Sequence, residues 1–336
     1  MRVGLVAAFL ACIFLILFFV NFLLGKTTFG SYLGLAKDFI FTPQEKIQTN
    51  EGRTNILVLG KGGEGHEAPD LTDTIIYLSI SHKPASVSLI SLPRDIWVPQ
   101  IRAKVNSAYY WGNQRQKGGG TILAKSTVEE IVGQPIHYAL VVDFAAFKNV
   151  VDILGGVEVE VERSFTDEKF PIPGKENDEC GGDPEFSCRY ETIHFEKGLK
   201  TMDGDTALKF VRSRNAEGDE GTDIAREARQ QKVIAAIKKK ILGKEVVLSL
   251  DKLLALSEVA RQHIETDMTA SSIAIIARRA LGAKDEVSSF VLPDRFLLNP
   301  PRSARYDNLY VFIPQKGDWG DVHLWVDCIV EGGDCE

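Results

Sequence analysis

The spacing of apolar and polar positions changes character several times along the chain. Val3 to Leu24 is an apolar run interrupted only by Gly4 and Asn21, and about 20 such residues suffice to cross a hydrocarbon core. A cleavable leader has a shorter apolar region and a small-x-small cleavage site, so the run predicts a membrane anchor rather than a signal peptide. Residues 25–50 read as a stalk. A globular pattern follows from residue 51 to residue 336. Thr54–Gly60 is a short apolar run closed by glycine, and Asp73–Ile80 and Ser86–Leu92 flank a His-Lys-Pro turn; these predict three strands, the last two a hairpin.

Beyond them the period lengthens. Thr121–Val132 and Phe144–Leu154 read as helices, and His137–Val142 and Val157–Val161 as strands. Such interleaving predicts an α/β (α+β) domain, a central mixed β-sheet layered by helices. From Glu162 to Lys197 proline, glycine and acidic residues replace the pattern, and the stretch reads as a surface insertion. Asp203–Val211 and Ile224–Ile241 return as helices. In the C-terminal part, residues 242–336, Val246–Val259 and Ser271–Leu281 read as helices and Val287–Leu292 and Leu309–Ile313 as strands.

Composition narrows the picture. At 336 residues, 44% hydrophobic and 25% charged, the chain builds a real core. A net charge of −7 supplies no general field for DNA or RNA, so no nucleic-acid partner is expected. Arg2 and Lys26 flank the apolar run on opposite sides and leave its orientation open, but the cysteines help. Cys180 and Cys188, and Cys328 and Cys335, are two local pairs that fit short-loop disulfides and an oxidising exterior. The alternative is unpaired thiols in a cytosolic protein; neither pair has zinc-site spacing.

Gly60-Lys-Gly-Gly-Glu-Gly65 matches the dinucleotide fingerprint, but His66-Glu-Ala-Pro-Asp70 opens no helix, and nicotinamide binding is rejected. The neighbouring carboxylates Glu64, Glu67, Asp70 and Asp73 fall between one strand's end and the next strand's start, where Glu64, Asp70 and Asp73 could hold a hard cation such as Mg²⁺, with Mn²⁺ as the alternative. Ser91-Leu-Pro-Arg-Asp95 sets Arg94 and Asp95 at a strand's carboxyl end, where open α/β sheets bind ligands. Asp223, Arg226, Gln230, Val233 and Ile237 share one helical face, with Arg229 beside it. Charges on a buried face need partners: internal ion pairs are one solution, a bound anion the other. With Lys104, Arg212 and Arg214 added, the cations suit a phosphate or pyrophosphate.

Leu57-Val-Leu-Gly60, Thr72-Asp-Thr74, Ser91-Leu-Pro-Arg-Asp95, Lys104-Val-Asn106, Asp143-Phe144, Leu154-Gly-Gly-Val157, Asp203-Gly204, Ala207–Arg214 and Asp223–Gln230 occur in the order of the LytR-CpsA-Psr family. From Thr54 to Ile241 the chain resembles that family. The resemblance implies a single-pass cell-membrane protein with residues 1–2 cytoplasmic and its C-terminal domain extracytoplasmic. Its implied activity is that of a Mg²⁺-dependent phosphotransferase. Such an enzyme moves a glycopolymer from a polyprenyl-pyrophosphate carrier to a peptidoglycan hydroxyl through a phosphodiester. It also implies metal ligation at Asp73, with Arg94, Arg212, Arg214, Arg226 and Gln230 on phosphate and Arg229, Lys104, Asp95 and Asp223 in support. The carrier lipid needs an apolar slot, which helices over the sheet could provide. One departure stands out: family members commonly carry G-x-D after the first strand, and here Gly62 takes the aspartate's place, leaving Glu64 or Asp70 as the second ligand. Two further functions compete, a polyprenyl-pyrophosphate pyrophosphatase and a non-catalytic tethered binding protein.

Overall fold

The computed structural model describes residue 34 and residues 37–63, 68–175, 178–241, 243–247, 249–283, 286–333 and 335. The expected span at Val3 to Leu24 lies outside them, and no helix among the described residues is long and apolar enough to cross a membrane.

Strands β1 (Arg53–Lys61), β2 (Thr72–His82) and β3 (Ala85–Ser91) form an antiparallel meander. The His82–Ala85 corner is the expected turn. Short β4 (Trp97–Val98) and β5 (Ala103–Lys104) pair with each other, and helices α1 (Ala108–Arg115) and α2 (Gly119–Val132) follow. The chain then returns as β6 (Tyr138–Asp143), parallel to β1. Next come α3 (Phe144–Ile153), β7 (Val157–Val161), β8 (Phe165–Pro171), β9 (Tyr190–Phe195), β10 (Gly198–Met202), α4 (Gly204–Arg212) and α5 (Asp223–Ile241). The C-terminal part holds α6 (Leu250–His263), β11 (Ile264–Thr266), α7 (Ala270–Gly282), β12 (Val287–Val291), β13 (Leu297–Leu298), β14 (Ile313–Pro314) and α8 (Gly320–Glu331).

The principal sheet has the order β11-β6-β1-β2-β3-β12. Its β1/β6 and β3/β12 pairs are parallel and the others antiparallel, the mixed sheet expected. Both faces are apolar because both are covered. Leu57, Leu59, Tyr77 and Ile90 meet α2 and α8 on one side; Ile56, Leu78, Ile80 and Leu89 meet α7 on the other. A further core, around Phe165, Phe195, Phe210, Val159 and Val233, joins the β7/β10 and β8/β9 ladders to α4 and α5. Phe165 stacks on Phe195 with ring centroids 5.1 Å apart, and Phe210 closes edge-on at 5.0 Å.

Two sequence expectations are corrected and a third is filled in. The stretch read as a surface insertion holds a hairpin, β8 against β9, and the expected Cys180–Cys188 disulfide lies between the two strands. Its apolar positions are Phe165, Phe170, Ile193 and Phe195, but buried Asp167 interrupts the alternation that would reveal β8. The helix expected over Val246–Val259 is divided into a turn at Lys244–Val247 and α6, because the Ser249 side chain caps α6 by accepting from the Lys252 amide. Of Leu309–Ile313, only Ile313 enters a strand; Phe312 instead bridges Ile96. The second disulfide, Cys328–Cys335, ties the C-terminus to α8.

Two outcomes test this packing. Ile90 on β3 is fully buried, so Ile90→Ala should cost about 2–5 kcal/mol in urea unfolding. His82 at the end of β2 shares its Nε2 with the Thr54 hydroxyl at 3.0 Å. Burial, with Arg279 and Arg53 nearby, lowers its pKa from 6.5 to about 4. The unfolded chain therefore binds a proton that the folded one refuses, and stability should fall as pH drops from about 6.5 through 4. His82→Asn should flatten the change in urea midpoint between pH 7 and pH 5; an unchanged slope would remove His82 as its source.

Candidate functional site

The parallel pairing of β1 and β6 sets Lys61 opposite Asp143, while the antiparallel neighbour sets it opposite Thr72. The carboxyl ends of β1, β6 and β3 and the beginning of β2 therefore share one sheet edge. Asp73 lies there at the start of β2. Pro93 stops β3 from continuing, and Arg94 turns back so that its Nη1 donates to the Asp73 carboxylate at 2.8 Å. The same guanidinium approaches Asp95 at 3.7 Å, and Lys104 pairs with Asp95 at 2.6 Å. The Asn106 amide donates to Asp73 at 3.4 Å, and its carbonyl accepts from the Thr72 hydroxyl at 3.0 Å. The Lys104–Asn106 segment thus braces the Arg94 corner.

Opposite charges alternate along this edge, but they are not sealed. Arg94 and Asp73 are 45% and 47% exposed, and an exposed pair is worth only about 0–1 kcal/mol. Each partner can therefore be exchanged for a stronger one at little cost: a cation for Asp73, a phosphate oxygen for Arg94. Asp70 is engaged by Lys61 at 2.9 Å, and the ammonium also lies 5.1 Å from the centre of the Tyr109 ring. Gly63 has φ +76°, and a Cβ there would meet the Asp143 side chain at 2.8 Å; only glycine lets the loop lie this close to β6.

Asp143 caps α3 by accepting from the Ala146 amide at 2.8 Å, and its other oxygen contacts His263 Nδ1 at 2.9 Å. The next residue, Phe144, presents its ring to Arg212, whose guanidinium carbon lies 5.2 Å from the centroid; Phe170 of β8 lies at 5.7 Å. This brings the end of α4 to the β6 end of the edge, with exposed Arg214 two residues on.

Arg229, expected in support of the phosphate-contacting arginines, is enclosed. Its side chain is only 4% exposed, and its Nε, Nη1 and Nη2 donate to the carbonyls of Phe210, Glu220 and Ser213 at 3.0, 2.8 and 2.7 Å. Nη1 also meets the Glu220 carboxylate at 2.9 Å. Burial pulls its pKa below the ordinary value while Glu220 holds it up. Arg229 thus follows the internal-pairing alternative and stands behind the charged edge rather than on it. Glu64 lies outside the described residues. Asp223, Arg226 and Gln230 belong to α5, and their side chains lie outside the description. Sequence reasoning assigned no role to Lys61, Tyr109, Asp143, His263 or Asp167. The Asp143–Phe144 strand-to-helix junction carries a legible cap signal; Asp167 sits in the stretch read as patternless.

The donor chemistry bears on a metal. Among the described residues, the group of three acidic, histidine or cysteine side chains close enough to share an ion is Asp178, Cys180 and Cys188, and both cysteines are oxidised. Mg²⁺ is commonly held by one or two carboxylates, with phosphate oxygens and waters completing the shell. Asp73 fits that kind of site, in which a phosphorylated substrate brings the remaining oxygens.

A mixed sheet whose open edge gathers exchangeable carboxylate–cation pairs and a stacked arginine defines an α/β domain suited to a multi-oxygen anion. The chain belongs to the LytR_cpsA_psr family, whose model matches residues 35–323. It is 31% identical over 208 residues to a Bacillus cereus protein named polyisoprenyl-teichoic acid–peptidoglycan teichoic acid transferase TagU, a match covering 61% of this chain and 57% of that protein. The Bacillus subtilis protein of the same name is 26% identical over 224 residues, 66% of this chain and 62% of the relative. The fold is similar to that of B. subtilis TagV (TM-score 0.52, 21% identity, 84% of this chain and 99% of the other). It is also similar to TagT bound to LIIa-WTA (TM-score 0.52, 22% identity, 84% and 94%).

The Arg212–Phe144 contact predicts a measurable loss. Phe144→Leu removes a cation–π interaction of about 0.5–1 kcal/mol, so inorganic pyrophosphate should bind severalfold more weakly by calorimetry, with an unchanged circular dichroism spectrum. Equal affinity would show that the ring does not orient Arg212 for the anion.

Proposed function

We propose that this protein is a membrane-anchored phosphotransferase that moves a glycopolymer from a polyprenyl-pyrophosphate carrier to a peptidoglycan hydroxyl. The observation that carries the reading is the exposed Asp73–Arg94 pair at the sheet edge, in a chain of this family. Relatives named as teichoic acid transferases support the substrate class. The anchor is Val3–Leu24, and two disulfides fit an extracytoplasmic domain.

In this reading the acceptor oxygen attacks the sugar-linked phosphorus, a new P–O bond forms, and the bond to the bridging oxygen breaks to release polyprenyl phosphate. The acceptor's proton passes to Asp95 or Asp223; loose phosphoryl-transfer transition states demand little of such a base. Arg94, Arg212, Arg214, Arg226 and Gln230 bind the non-bridging oxygens and the leaving phosphate, where developing charge makes donors most effective. Lys104 holds Asp95 and thereby the Arg94 corner. Asp73, with Asp70 or Glu64, would hold Mg²⁺ or Mn²⁺, which supplies charge neutralisation on the phosphoryl oxygens. For Asp70 this requires giving up Lys61. Helices α1 and α2, directly after this segment, carry the exposed Trp111 and Ile122 as apolar surface for the lipid.

The test incubates the full chain in detergent with a short polyprenyl-pyrophosphoryl sugar and a peptidoglycan fragment, with and without Mg²⁺, and follows products by mass spectrometry. The expected product is acceptor carrying a new sugar phosphate, lost in Arg212→Ala and in Asp73→Asn. Polyprenyl phosphate without modified acceptor would replace the transferase by a hydrolase, and binding without turnover would replace it by a tethered binding protein.

A further inference from the structure

Two buried charges lie next to the site without reaching its open edge. Asp167 on β8 is 0% exposed and Arg229 on α5 is 3% exposed. Burying a charge is costly unless hydrogen bonds replace its water, and here the replacements converge on one short stretch of chain.

One carboxylate oxygen of Asp167 accepts from the Ser213 hydroxyl at 2.7 Å, the Arg214 amide at 3.2 Å and the Asn215 amide at 3.1 Å. The other accepts from the Lys169 amide at 3.0 Å. Arg229 grips the same stretch from the acceptor side, through the carbonyls of Phe210 and Ser213. Ser213 is therefore held by its hydroxyl and by its carbonyl, by opposite charges on different elements. Arg212 and Arg214 are its immediate neighbours. The Asp167↔Ala216 bridge and the Asn215 amide's bond to the Lys169 carbonyl at 2.9 Å extend the grip toward α5. Phe165 backs the Arg229 guanidinium at 4.8 Å, and Phe170, on the same strand as Asp167, lies beside Arg212.

We infer that Asp167 and Arg229 are a pair of positioning residues that clamp Phe210–Asn215 and preset Arg212 and Arg214 for the substrate's pyrophosphate. The inference rests on the transferase reading of the edge. A guanidinium held in advance binds the reacting phosphates without the cost of ordering its own backbone, and a misplacement of about 1 Å can lower turnover on the order of a hundredfold. Arginine's planar fork reaches two carbonyls at once, which a lysine ammonium on a flexible stem does not reproduce. Asparagine at 167 faces the same amides with one acceptor oxygen and an unwanted donor.

The experiment compares wild type, Asp167→Asn, Arg229→Lys, Arg212→Ala and a destabilised control remote from the clamp, Ile90→Ala. All are used as full chains in detergent, below their melting temperatures. Three quantities are read: inorganic pyrophosphate affinity by calorimetry, kcat and acceptor KM with the lipid-linked sugar, and hydrogen exchange at the Arg214 and Asn215 amides. Asp167→Asn and Arg229→Lys should weaken pyrophosphate binding about tenfold and lower kcat by about tenfold to a hundredfold. Acceptor KM should stay unchanged and exchange at the two amides should quicken; Ile90→Ala should lose thermal stability with none of these changes. If the clamp variants lose only stability while Arg212→Ala abolishes turnover, the positioning role is overturned and the transferase reading stands. If Arg212→Ala also binds and turns over normally, the reading of the edge fails and takes the positioning role with it.

Discussion

The parallel pairing of β1 with β6 is the constraint on which the rest depends. Parallel neighbours cannot be joined by a tight turn, so the chain must travel across the sheet and back between them. That excursion contains β2, β3, the Arg94 corner and the Lys104–Asn106 brace before α1 and α2 bring it to β6. The register that sets Lys61 against Asp143 brings the products of the excursion to the same edge as the start of α3. Asp143 then turns the strand into a helix by capping it, and Phe144, forced to the rim by that turn, meets Arg212 from a different core. The edge is thus an outcome of topology. Arg94 and Asp73 stay nearly half exposed when the fold closes, and so they remain exchangeable.

That separation explains the two kinds of ion pair in this molecule. Arg94 and Asp73 are nearly half exposed. Water and salt compete for both, and the pair holds little energy that a ligand would have to overcome. Arg229 and Glu220 are mostly enclosed, where breaking one partner strands the other's charge in a poor dielectric. The first arrangement suits groups that must let go of each other; the second suits groups that must not move.

Much of the fold was legible because its elements announce themselves locally. The three opening strands are apolar runs ended by glycine or proline, and the helices expected from Phe144 and Asp203 start where Asp143 and Asp203 cap them. The ordered motifs located the edge and its family. What could not be read depended on partners distant in sequence. β8 is a strand because β9 pairs with it, and its buried Asp167 makes sense only beside Ser213, Arg214 and Asn215. Arg229 lies at helical spacing from Val233 and Ile237, both buried, and that spacing fixes its inward face; whether the face met an anion or the protein's own carbonyls was beyond periodicity. Asp70 looked like a free carboxylate because Lys61 is a neighbour only across the β1–β2 loop.

The β8–β9 hairpin divides its labour along its length. Its arms carry the contacts that shape the arginine stretch, whereas its tip is a small covalent ring closed by Cys180 and Cys188, away from the principal sheet. A ring of this kind insulates. Residues within it can be exchanged, lengthened or decorated without the disturbance travelling down the ladder, because the crosslink limits the tip's freedom at its root. The exposed ring of Phe186 is accordingly the part of this arm where a substitution disturbs the ladder least. New surface preferences can arise at the tip while the geometry around Arg212 and Arg214 is left intact.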